Sequence, residues 1–160
     1  MCFDLNMEAF FYNDSEYFNW FTEQNEENLE KIIRWKGLNR NNLFDRRNDF
    51  GNGENIVIDN INDYGIVTKA FLYHLYRPKK YPILDRFVWK AMRNLNGNGI
   101  NMHYYQWQRD YLDIYVPFFN GFYQDHVHLI NCPQVNGVDI EIVKRRMLDR
   151  ALWEYGRMLQ

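Results

Sequence analysis

Asn62-Asp63-Tyr64-Gly65-Ile66-Val67-Thr68-Lys69-Ala70-Phe71-Leu72-Tyr73-His74-Leu75-Tyr76-Arg77 is the stretch on which the fold turns. Tyr64, Ile66, Val67, Ala70, Phe71, Leu72, Tyr73, Leu75 and Tyr76 surround a helical wheel, which marks a helix buried on nearly every side. Pro78 ends it. The polar residues inside this helix are Thr68, Lys69 and His74. An ammonium on such a helix must either reach solvent by its stem or find an anion and a lowered pKa, so Lys69 is the residue to explain.

Working outward, Pro82-Ile83-Leu84-Asp85 leads into Arg86–Leu95, where Phe87, Val88, Ala91 and Met92 form an inner face and Asn96-Gly97-Asn98-Gly99 stops the element. The two helices make a helix–loop–helix unit. Asp85 stands where its carboxylate can accept from the free N–H groups of the second helix. A long aromatic helix is predicted from about Met102 to Tyr123, bent at Pro117, and a last one starts from Asp139 as N-cap and carries Val143, Met147, Leu148, Ala151, Leu152, Tyr155 and Leu159. Towards the N-terminus, Asp14 and Ser15 can cap a short helix through Phe21, and Asn25 to Lys36 reads as a second helix stopped at Gly37. Leu38 to Asn60 reads as a long loop, with room for one brief strand or turn at Ile56-Val57-Ile58. The class is all-α: a compact helical domain around the central helix–loop–helix unit, with residues 1–160 taken as one domain.

The 160 residues, 46% hydrophobic and 25% charged, are enough for a buried core and argue against disorder, and there is no apolar run of the length that spans a membrane. Two cysteines, Cys2 and Cys132, exclude a disulfide framework, and the start has neither the basic nor the apolar part of a signal peptide, so a soluble cytoplasmic protein without a membrane partner is expected. Charge is segregated. Residues 1–60 hold 6 Lys and Arg against 12 Asp and Glu, whereas residues 61–95 hold 7 against 2. The acidic third suits a protein partner. In the basic part, Arg77, Lys79, Lys80, Arg86 and Lys90 are either a solvated rim or a patch that meets phosphates.

The segment from Ile61-Asn62-Asp63-Tyr64-Gly65 through Tyr81-Pro82-Ile83-Leu84-Asp85-Arg86-Phe87-Val88 resembles the helix-hairpin-helix motif of base-excision DNA glycosylases. In that family a glycine-rich hairpin precedes a Pro-Ile-Leu-Asp or Val-Asp segment whose aspartate is catalytic and caps the next helix, and Asp85 falls on that aspartate without a gap. Thr68-Lys69-Ala70-Phe71-Leu72-Tyr73 is similar to the lysine-bearing helix of archaeal-type 8-oxoguanine glycosylases, so the resemblance gives Lys69 the role of a nucleophile that forms a Schiff base with the sugar. It also implies that Asn62–Gly65 is a turn, that Gly65 adopts a conformation needing no Cβ and touches phosphate, and that the partner is double-stranded DNA with a modified base. No cofactor is needed for such chemistry.

Blander readings stand beside these. Asp85 can be an N-cap and nothing more, Lys69 a snorkelling lysine, and the run from Tyr104 to Tyr123 core rather than a base-stacking platform. Asp125-His126-Val127-His128 with Cys132 would place alternate ligands on one side of an extended segment, but a fourth ligand at motif spacing is missing and no metal is expected. Two functions follow: a glycosylase-like protein that cleaves an N-glycosidic bond, with or without strand cleavage, or a catalytically silent helical binding module.

Overall fold

The computed structural model describes residues 14–38, 42–50, 64–98 and 106–159. Among them there is no strand, and the helices are α1 (Ser15–Thr22), α2 (Glu26–Trp35), α3 (Ile66–Tyr76), α4 (Arg86–Leu95), a π-helix (Trp107–Tyr115), α5 (Val116–His126) and α6 (Ile140–Met158). The all-α expectation holds, and no helix among the described residues is long and apolar enough to cross a membrane. The chain groups into two compact units, one of residues 1–63 and 134–140, the other of residues 64–133 and 141–160.

In the first unit α1 buries Tyr17, Phe18 and Trp20, and α2 buries Leu29, Ile32 and Ile33. Tyr17 packs its ring against Phe21 at 4.9 Å and Trp35 at 5.3 Å. Asn25 caps α2 through its side chain, which accepts from the Asn28 N–H at 2.8 Å, and Gly37 supplies the left-handed turn (φ +79°) that stops it. Asp14 precedes α1 but makes no side-chain cap, contrary to the capping expected from its position. Within the expected loop, Arg47–Phe50 forms a short 3₁₀ turn, and Leu43 and Phe50 are fully buried; Ile56-Val57-Ile58 lies outside the described residues.

The second unit carries the core and the candidate site. From Thr68 to Leu75 every residue of α3 is buried, as its all-round apolar pattern predicts. Ala70 of α3 shares one core cluster with Leu84, Val88, Trp89, Ala91 and Met92 from α4 and its approach, Leu148 and Leu152 from α6, and an aromatic column of Tyr111, Tyr115, Phe119 and Tyr123. The predicted long aromatic helix is instead two elements. Trp107–Tyr115 is wound with the wider π spacing, the Val116 N–H donates back to the Tyr111 carbonyl, and the α register begins as Pro117, which has no N–H to give, enters the first turn of α5.

Candidate functional site

Asp85 owes its place to the buried Pro82-Ile83-Leu84 segment that ends the α3–α4 connection. Its Oδ1 accepts from the Phe87 N–H at 2.8 Å and the Val88 N–H at 3.1 Å, so it is the side-chain N-cap the sequence predicts. The carboxylate is partly buried, with its negative charge close enough to help push the Tyr115 phenol well above its usual range; burial is the larger cause, and Asp149 contributes before Asp85.

Lys69 is 7% exposed and sits on α3 with its Nζ over the Trp107 ring, 4.6 Å from the centroid. Burial lowers its pKa, and no carboxylate contributes to the shift. The amine therefore rests on a cation–π contact alone among the described residues. Around it the rings interlock: Trp107 stacks on Tyr111 at 4.5 Å, and Tyr73 meets Trp107 at 5.1 Å and Tyr81 at 4.9 Å. Tyr73 is pushed up to about 12 by burial and by the neighbouring Tyr81. Lys69 and Asp85 are thus in one unit, the first over Trp107 and the second near enough to act on Tyr115, but no hydrogen bond or ion pair among the described residues joins them.

The basic residues divide. Arg77, Lys80 and Arg86 are exposed with no carboxylate partner among the described residues; Arg86 lies over Phe87 and Lys80 over Tyr81, at 4.5 Å and 5.1 Å. Lys79 instead faces Glu141 at 3.8 Å. Lys90 turns inward, donating to the Leu159 carbonyl just past the end of α6, a favourable place for a cation.

Gly65 corrects an expectation. Its backbone is extended (φ −61°, ψ 157°), open to any residue, and among the described residues nothing lies within 4 Å of a Cβ built there, so neither its own backbone conformation nor a described neighbour demands glycine. Ile61, Asn62 and Asp63 lie outside the described residues. The extended segment imagined around Asp125 and His128 is also absent. Asp125 and His126 end α5, His126 donates from Nδ1 to the Phe122 carbonyl at 2.8 Å and stacks on that ring, and Val127–Leu129 continues as a 3₁₀ turn.

Three residues of the site have roles that the sequence did not assign, although Trp107 stood in the aromatic run read as core or as a stacking platform. Trp107 supplies the floor under Lys69, Asn120 bonds the Lys80 carbonyl, and Gly156 lets α6 touch the first turn of α4. Each acts through a tertiary contact, which residue type and spacing do not encode. No protein-family model, no curated protein and no solved structure matches the chain.

Proposed function

We propose that the protein is DNA glycosylase-like, acting on a damaged or modified base or descended from an enzyme that does, with Lys69 as the nucleophile and Asp85 as the carboxylate that steadies the sugar. The observation that carries this reading is the state of Lys69: an amine almost wholly out of water, held over an indole, with its pKa lowered by burial and no carboxylate among the described residues to keep it charged. Lowering the pKa raises the fraction of free amine, the nucleophilic form. The Nζ lone pair attacks C1′, the C1′–N bond breaks, and the base leaves with the bonding pair and takes up a proton. The resulting secondary ammonium loses a proton as the sugar ring opens to an imine. Asp85, oriented by the Phe87 and Val88 N–H groups, lends negative charge to the oxocarbenium-like sugar in the transition state. The partner is duplex DNA, from which the target nucleotide must be flipped.

Borohydride trapping on a panel of damaged-base duplexes tests this. A reduced protein–DNA adduct that Lys69→Gln abolishes, with base release slowed in Asp85→Asn, is expected; full base release by Asp85→Asn overturns the assignment.

The second reading, a catalytically silent binding module, draws on a specific observation too. Asp85 satisfies two backbone donors and Lys69 covers an indole, and each arrangement is complete as structure without any substrate. Absence of adduct and of base release on every duplex favours it, with the acidic N-terminal third as the surface for a protein partner.

A further inference from the structure

The connection between α3 and α4 is short and is exposed at Arg77, Lys79 and Lys80, yet its backbone is held at several points. The Arg77 carbonyl accepts from the N–H groups of Lys80 and Tyr81, at 3.1 and 3.0 Å. Three consecutive carbonyls further on are each taken by a side chain from elsewhere in the unit: Lys80 by Asn120 Nδ2 at 3.1 Å, Tyr81 by His74 Nδ1 at 2.7 Å, and Pro82 by the Tyr111 hydroxyl at 2.7 Å. Asn120 is itself oriented, because its Oδ1 accepts from Arg145 Nη1 at 2.6 Å while Arg145 Nε donates to Glu141 at 3.0 Å and its guanidinium covers the Tyr123 ring.

This has an electrostatic result. With those carbonyl dipoles occupied by side-chain donors, the exposed side of the connection presents the cations of Arg77 and Lys80, neither of which has a carboxylate partner among the described residues. Ordering a loop on binding costs free energy for each residue fixed, and here that cost is met within the fold, as in a pre-organised binding surface.

We propose that the α3–α4 connection is a pre-organised phosphate-binding surface for a nucleic-acid backbone, in which Arg77 and Lys80 make the contacts and Asn120, held by Arg145, is the positioning residue. The choice of a nucleic acid among polyanions rests on the glycosylase-like reading. Lys79 and Lys90 take no part, being engaged with Glu141 and with the Leu159 carbonyl.

The test is fluorescence anisotropy of a labelled, undamaged duplex over a salt series, with the intact chain and variants whose folding is checked by circular dichroism. Arg77→Gln and Lys80→Gln should each weaken binding by about threefold to tenfold at moderate salt and reduce the salt slope by about 1. Asn120→Ala should weaken binding at every salt concentration with the slope retained, which a merely structural role would not produce. Lys90→Gln should leave affinity and slope unchanged. Binding that follows this pattern without any base release supports the surface while removing the catalytic reading. Unchanged affinity in Arg77→Gln and Lys80→Gln, an equal loss in Lys90→Gln, or no duplex binding at low salt while anionic lipid vesicles are bound, overturns the proposal.

Discussion

Gly156 of α6 lies directly on the backbone of Phe87 in the first turn of α4: a Cβ built on the glycine would stand 1.9 Å from the Phe87 carbonyl oxygen and 2.6 Å from its carbon. The neighbour is backbone, so it cannot rotate away. Gly156→Ala is therefore expected to force the helices apart and destabilise the protein by about 2 to 3 kcal/mol, the scale of overpacking a tight contact. A urea midpoint equal to that of the wild type would show that the contact has slack.

Capping and chemistry at Asp85 can be separated. Asp85→Ala removes the acceptor for the Phe87 and Val88 N–H groups and should cost about 1 kcal/mol of stability. Asp85→Asn keeps a good cap, so its stability should match the wild type to within a few tenths of a kcal/mol while base release slows. Equal loss of stability in the two variants would mean that charge, rather than the hydrogen bonds, holds this helix start.

Lys69 should leave a mark on the pH dependence of folding. Its pKa is lowered from 10.5 in the folded protein, so the unfolded chain binds more protons between the lowered value and 10.5, and this residue's contribution to stability rises with pH across that window. Below the window the burial penalty on the ammonium is fully present. Lys69→Met should therefore gain over the wild type near neutral pH, and the gain should shrink as pH approaches 10.5, read as urea midpoints at a series of pH values. A difference constant with pH would place the amine in water.

The tyrosines give the opposite sign. Tyr73 is raised to about 12, and Tyr111 and Tyr115 lie well above the usual value of 10, so the folded protein holds protons that the unfolded chain gives up. Their stabilisation is complete below pH 10 and is lost as pH climbs through the folded values. Phenolate absorbance should then appear late and together with the loss of helical circular dichroism. Full ionisation near pH 10 with the helices intact would contradict the burial of these rings.

The parts of this architecture that repeat along the chain were legible before any coordinates. An apolar wheel on α3, a carboxylate ahead of α4 and a glycine after α2 are local signals, and Ile66–Tyr76, Asp85 and Gly37 fall where those signals put them. The π-helix was not legible, because aromatic residues four apart, such as Trp107, Tyr111 and Tyr115, suit an α-helix equally well. Lys69 could be picked out as anomalous, but its contact with Trp107 joins residues 38 positions apart. The same holds for Asn120 with Lys80 and for Gly156 with Phe87, where nothing in either residue's neighbourhood names the other. Gly65 misled in the reverse direction: a glycine retained by resemblance occupies a conformation that alanine would accept.

The captured carbonyls of Lys80, Tyr81 and Pro82 also bear on cleavage. A protease must draw several residues out of a fold into an extended strand, and surface connections rich in basic residues are where trypsin ordinarily begins. At Arg77-Pro78-Lys79-Lys80-Tyr81 that extraction means breaking the Asn120, His74 and Tyr111 bonds together, so the bonds after Lys79 and Lys80 should survive limited digestion although both side chains stand in solvent.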